Sequence, residues 1–274
     1  SELTFVNLYI WRSYYDFQWC MYKDWLLLLA NHEGAFFALP PVGQVSRREV
    51  SRVMLTWMRE ALDIKDPFIG RAGQRLADEL TGDDAFVIES AREHFDYVYN
   101  SEDLGQLKGR KYSKKRNHIN QFLRDYEATY NYAPLTSDLV QGCLDLAEIW
   151  CQQRLCDEDI SLTHEFCGIQ DALNNFELLH IEGGVILIDG KVQAFSLGEQ
   201  LNNDTAVVHI EKANPNFHGI YPVITKSFSE HRWQETVAYI NREQDLGDPG
   251  LRRAKESYYP HHLVEKFRIR LAGS

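Results

Sequence analysis

The longest apolar run in this 274-residue chain, WLLLLA at 25–30, falls far short of the roughly 20 residues that cross a bilayer as a helix, so no membrane span is expected. Cysteine is scarce and poorly patterned: Cys20, Cys143, Cys151, Cys156 and Cys167 make no C-x-x-C pair. An odd count argues against a disulfide framework, and the pattern reads as reduced thiols in a cytoplasmic protein. No Pro/Gly-rich tract or polar tail marks a disordered segment. There is no charged n-region followed by an apolar core at the start, so no secretory leader is expected, and whether residues precede Ser1 is left open. G-x-S-x-G, H-E-x-x-H, Walker and Rossmann signatures are missing, as is any metal-ligand spacing.

One absence is local. The segment LKGRKYSKKRNHINQFLR (107–124) contains no acid, yet carries seven of the 29 Lys and Arg in a chain of net charge -11. A general nucleic-acid binder is not acidic overall, so any polyanion must be met at this one place. At 100° per residue, Tyr112, Ile119, Phe122, Leu123 and Tyr126 share one stripe. Lys115 falls inside it and Arg116 on its margin, while Lys114, Asn117, Gln121 and Arg124 point away. A lysine inside an apolar stripe snorkels or reaches into a cleft. Lys111, Lys115, Arg116, Asn117 and Asn120 are therefore candidates for binding phosphate or an acidic substrate. A basic surface paired with the chain's own carboxylates is the plain alternative.

Around this island the pattern alternates strands and helices. FQWCMY, DWLLLLA and GAFFALPP suggest an antiparallel meander. A helix follows from Ser46, with Val50, Val53, Met54, Trp57, Met58 and Leu62 at helical spacing and a Ser46/Glu49 capping box. PFIGRAG, QRLADELTG, AFVIES and FDYVYN complete an α+β unit ending near residue 104. Two helices, the first striped by Leu139, Cys143, Leu146, Ala147 and Trp150, precede a hairpin turned by Asp189-Gly190. The order then runs TAVVHIEKA (strand), GIYPVITKSFSEHRW (a helix or helix pair), TVAYINREQ (strand), GLRRAKESY (helix) and HHLVEKFRIRL (one final strand). The class is α+β or mixed α/β with a mixed sheet.

Pleating places Val207, His209 and Glu211 on one face of their strand and Val208, Ile210 and Lys212 on the other. In YINREQDLG, Tyr239, Asn241, Glu243 and Asp245 share a face opposite Ile240, Arg242 and Gln244. Two strands with polar ends joined by a crossover helix read as the walls of one site. Glu211, Glu243, Asp245 or His209 can accept a proton there, and Lys212 or Arg242 can stabilise an oxyanion or phosphate. Tyr239, Asn241 and Arg242 are further binding candidates, and Gly219 lies where a helix start can meet phosphate. An ion-paired network tying strand ends together is the structural alternative.

The strings SELTFVNLYIWR, FDYVYNSEDLGQLKGRKYSKKRNHINQF, VVHIEKA and YINREQDLGDPGLRRAKESYYP resemble a bacterial family of soluble proteins related to the C-terminal catalytic domain of phosphatidylglycerol lysyltransferase. The resemblance implies two tandem GNAT-like domains with mixed, mostly antiparallel sheets, similar to Fem-type aminoacyltransferases. Residues 1–104 would form the first domain, 105–180 a bridge, and 181–274 the second with the active cleft, at the splay of the His209–Lys212 and Tyr239–Asp245 strands. It also implies an aminoacyl-tRNA donor and a hydroxyl or amine acceptor, a small molecule or a lipid head group. Two departures matter. The lipid-modifying members carry a transmembrane flippase region not present in these 274 residues, which weighs against a lipid acceptor, and KANPNFHGIYP lacks the full R/Q-x-x-G-x-G/A loop with which acetyltransferases grip coenzyme A, which weighs against that donor. An acyl-CoA-dependent N-acyltransferase and a non-catalytic binding module are the rival readings; the oligomeric state is not legible.

Overall fold

A computed structural model describes residues 1–32, 34–43, 46–154 and 160–273. Two short helices, α1 (Phe5–Ile10) and α2 (Arg12–Tyr15), lead into the expected meander of β1 (Gln18–Tyr22), β2 (Trp25–His32) and β3 (Ala35–Ala38). Helix α3 (Arg48–Ala61) buries Val50, Met54, Leu55 and Met58, while Trp57 lies outside the core, 48% exposed. The capping box does not form. Arg47 occupies the cap position in a helical conformation, and its N–H and guanidinium are both engaged by Glu79. Next come β4 (Phe68–Gly73), α4 (Gln74–Leu80), β5 (Phe86–Ser90) and β6 (Asp96–Asn100).

The central third contributes α5 (Ser101–Gln106), α6 (Ser113–Tyr126), β7 (Tyr130–Pro134), α7 (Val140–Gln153) and α8 (Ile160–Asn174). After it run β8 (Glu182–Ile188), β9 (Lys191–Gln200), β10 (Thr205–Ala213), α9 (Ile220–Phe228), β11 (Tyr239–Asn241) and α10 (Pro249–Glu256). Asp189 and Gly190 both adopt positive φ (51° and 73°), as a tight β8–β9 turn requires. Alternate residues of β8 serve two cores. Val185 packs with Cys143, Leu146 and Ile169 of α7 and α8, and Ile186 packs with Phe122, Ile224 and Phe228 beneath α6 and α9.

The final segment is two strands rather than one. β12 (His262–Val264) pairs with β6, and β13 (Lys266–Leu271) inserts between β4 and β5. The result is a six-stranded sheet, β1-β2-β3-β4-β13-β5, and a seven-stranded sheet, β12-β6-β11-β10-β9-β8-β7. Among the described residues only β3–β4 and β10–β11 pair in parallel. Sheet membership therefore crosses the boundaries expected near 104 and 180. β6 and β7 sit with the C-terminal strands, and β13 returns to the N-terminal ones. Lys266 anchors that exchange. Its ammonium lies 2.5 Å from Glu2 and 3.2 Å from Asp96, the first residue of β6.

Cys20, Cys143 and Cys167 are free thiols, as expected, but Cys151 is disulfide-bonded, since an odd count excludes complete pairing and not a single bridge. Cys156 lies outside the described residues. Among the described residues no helix is long and apolar enough to cross a membrane.

Candidate active site

The site begins with an irregularity in β10. Its pairing with β9 slips between Val208 and Ile210, leaving His209 as an extra residue, a β-bulge. Gly198 of β9 faces this point, where a Cβ would lie 2.3 Å from the Val207 carbonyl oxygen. On the other side, β10 follows β11 only as far as Val207 beside Asn241. Glu243 and Leu246 then take left-handed backbone (φ 55° and 51°) and carry the chain away. The two strands part, and a cavity of about 1110 Å³ opens at the fork.

Lys115, His209, Glu211, Lys212, Arg242 and Glu243 all line this cavity. The simple pleat does not hold, because the bulge brings consecutive residues Val208 to Lys212 to the same opening. Glu211 accepts hydrogen bonds from the Thr225 hydroxyl (2.9 Å) and Arg242 (2.8 Å). Lys212 pairs with Glu165 of α8 at 2.9 Å and lies 3.3 Å above the Trp150 ring. Lys115 points inward as expected, 3.8 Å over the Tyr258 ring, and burial with the nearby Arg242 charge lowers its pKa to about 8.

His209 is not the proton acceptor the sequence allows. Its ring lies between Glu199 and Glu243, 2.9 Å from each. Burial opposes its charge, but the hydrogen bonds its ring donates to both carboxylates outweigh that cost and raise the pKa to about 9. The imidazolium is therefore already protonated at neutral pH. A folded pKa above the ordinary 6.5 contributes stability that is complete below pH 6.5 and fades as pH rises through 9. His209→Gln should accordingly cost most in acid to neutral buffer, about 3 kcal/mol, and little above pH 9. Urea melts across pH 6–10 measure this, and a pH-independent difference would refute it.

Other expected site residues lie elsewhere. Asp245 is fully buried under Arg92, Arg252 and Tyr97; against the cost of burial, hydrogen bonds from Arg252 and Tyr97 hold its pKa well below the usual carboxylate range. Asn241 donates to buried Asp96, and Tyr239 packs on His261 and His262, because the strand face expected to continue past residue 241 ends there. Arg116 donates to the carbonyls of Leu107 and Gly109, closing the turn before α6, and Lys111 pairs with Asp103. Asn117 and Asn120 border a separate depression of about 510 Å³ beside Arg124. Gly219, at φ 84°, meets the α6 backbone: a Cβ would sit 2.5 Å from the His118 carbonyl oxygen. Its role is close helix packing.

Several lining residues escape sequence reasoning. Lys255 of α10 donates to the carbonyls of Arg242 and Glu243, and burial beside Arg242 lowers its pKa to about 8. Arg71, Glu165, Trp150, Thr225 and Tyr258 join from distant elements. The helical spacing in GLRRAKESYY was the one visible hint, placing Lys255 and Tyr258 a turn apart. Among the described lining residues, six Lys or Arg stand against four Asp or Glu.

A bulged strand parts from its parallel neighbour over a charged cavity, and solved structures share the fold. The chain belongs to the phosphatidylglycerol lysyltransferase C-terminal family, whose model matches residues 1–270, as the four sequence strings implied. A conserved protein of unknown function from Bacteroides thetaiotaomicron is 36% identical, with a TM-score of 0.88 over 98% of this chain and 90% of the other. L-PGS from Bacillus licheniformis is 12% identical with a TM-score of 0.66, over 94% of this chain and 85% of its own. FemX is 10% identical with a TM-score of 0.60, over 97% and 91%. At such identities the last two show the fold alone. No curated protein matches the chain.

Proposed function

We propose that this chain transfers an aminoacyl group from the ester end of an aminoacyl-tRNA to a hydroxyl or amine of a small molecule or lipid head group. The observation carrying the reading is the surplus of cations around a cavity opened at the β10–β11 fork. Glu211, oriented by Thr225 and Arg242, takes the proton of the attacking O–H or N–H. Lys115 and Arg242 stabilise the oxyanion and the adjoining phosphate as the acyl carbon becomes tetrahedral. The ribose oxygen then leaves with the proton that Glu211 had taken, and His209, held between two carboxylates, fixes the β10 end against Glu243. On this reading the two sheets are tandem GNAT-like units, both bearing a bulge that faces the cavity.

Lys115→Glu is expected to weaken aminoacyl-tRNA binding at least about tenfold, with a steep decline as salt rises. Because Lys115 and Lys255 lose charge near pH 8, binding should also weaken as pH rises through that value. Filter binding over salt and pH tests both. Salt-insensitive binding, or an unchanged Lys115→Glu variant, would sink the donor assignment.

A further inference from the structure

The cation surplus is not confined to the fork. Arg71 reaches the same cavity from β4 in the other sheet. Its local structure is unusual: pairing with β13 slips between Phe267 and Ile269, so Gly70 and Arg71 together oppose Arg268 in a second bulge. Arg71 itself has φ 56°, a left-handed conformation that side-chain-bearing residues adopt at a cost. That strain re-aims one guanidinium.

Once re-aimed, the group is held without being neutralised. It stacks on the Tyr15 ring (4.7 Å) and near Phe37 (5.8 Å), and donates to the Tyr15 hydroxyl. No carboxylate lies within ion-pair distance of it among the described residues, in contrast to Lys212 and Arg242, which have Glu165 and Glu211. His94 lines the cavity as well, with its buried Nδ1 lacking a hydrogen-bond partner. Burial and the Arg71 charge lower the His94 pKa, which disfavours a second cation beside Arg71. A planar fork of donors, preorganised on an aromatic ring beside an unpaired polar nitrogen, matches a carboxylate or phosphate.

We propose that Arg71, with Tyr15 and His94, forms an anion subsite that anchors the acceptor by a carboxylate or phosphate group. The acceptor's nucleophile then faces the fork, where the acyl donor is held. This assignment rests on the donor reading above for its direction of transfer, but not for the existence of the subsite. It places donor and acceptor on different sheets.

The test is thermal stabilisation of the full chain by inorganic phosphate and, separately, by succinate, at fixed ionic strength. At least one should give a saturable shift in the wild type. Arg71→Gln and Arg71→Gly should weaken it at least about tenfold. Glycine tolerates the left-handed backbone, so Arg71→Gly should melt no lower than the wild type and keeps the test independent of misfolding. The Arg71 variants should bind aminoacyl-tRNA within about twofold of wild type. A response to phosphate alone assigns a phosphorylated acceptor, and a response to succinate alone a carboxylate-bearing one. The subsite is overturned if neither anion gives a saturable shift, if both variants respond as wild type, or if they lose tRNA binding as severely as Lys115→Glu. Should the wild type bind no aminoacyl-tRNA while the Arg71-dependent shift holds, the donor reading falls and the subsite stands.

Discussion

Lys266→Met is expected to destabilise the protein by about 3–5 kcal/mol at pH 7, the range for removing one partner of a buried ion pair. The side chains of Lys266, Glu2 and Asp96 are only 4%, 9% and 1% exposed. Asp96 further accepts a hydrogen bond from Asn241, so the cluster ties β6, β11 and β13 across the point where the chain changes sheets. Removing the ammonium leaves two carboxylates facing each other out of water. Replacing all three groups together by apolar ones would be far milder.

The pH dependence gives this prediction its signature. Burial raises the Glu2 pKa, but the Lys266 charge and hydrogen bond overcome it and bring the value down to about 2. Stability drawn from a depressed carboxylate is present above its ordinary value of 4.5 and disappears as pH falls through 2. The gap between wild type and Lys266→Met should therefore be full at pH 7 and shrink between pH 4.5 and 2. Lys266→Arg, which keeps the charge, should lose less. Urea melts at pH 7 and pH 3 decide the matter; a loss below about 1 kcal/mol at pH 7, or one unchanged by acid, would show that the cluster is not the anchor.

Gly198→Ala is the second large effect, about 3 kcal/mol, at the upper end of overpacking costs because the obstruction is backbone. The added Cβ would meet the Val207 carbonyl oxygen at 2.3 Å. Val207 cannot simply recede, since it pairs with Glu199 on one side and Asn241 on the other. The bulge must then re-form elsewhere or flatten, moving His209 out of its place between Glu199 and Glu243. Titrating the His209 ring by NMR reads this directly: its pKa should fall from about 9 toward the ordinary 6.5. A variant of wild-type stability with an unmoved His209 titration would show that the bulge does not depend on Gly198.

How much of this was visible beforehand follows from the range of each signal. Asp189-Gly190 announces its turn because two adjacent residues carry the whole requirement. Lys115 stood out for a similar reason: a charge inside an apolar helical stripe is a local anomaly, and it does face the cavity. Its neighbour Arg116 looked equivalent, but the turn carbonyls that claim it depend on how Leu107 and Gly109 fold back. Asp245 likewise shared a face with Glu243 only on the assumption of a continuous strand, and the left-handed Glu243 ended that alternation.

By itself, then, the sequence determined the alternation of elements, the stripes that bury them, the basic island and the family, all of which reside in short-range spacing or contiguous strings. Only the tertiary structure decided where the final strand crosses between sheets and which charges are neutralised within the chain. His209 becomes a fixed cation through a residue 34 positions away, and Arg71, turned toward the cavity by a slip against β13, has no carboxylate within ion-pair distance among the described residues. Protonation and aim are set by whatever surrounds a side chain in space, which residue spacing along the chain does not encode.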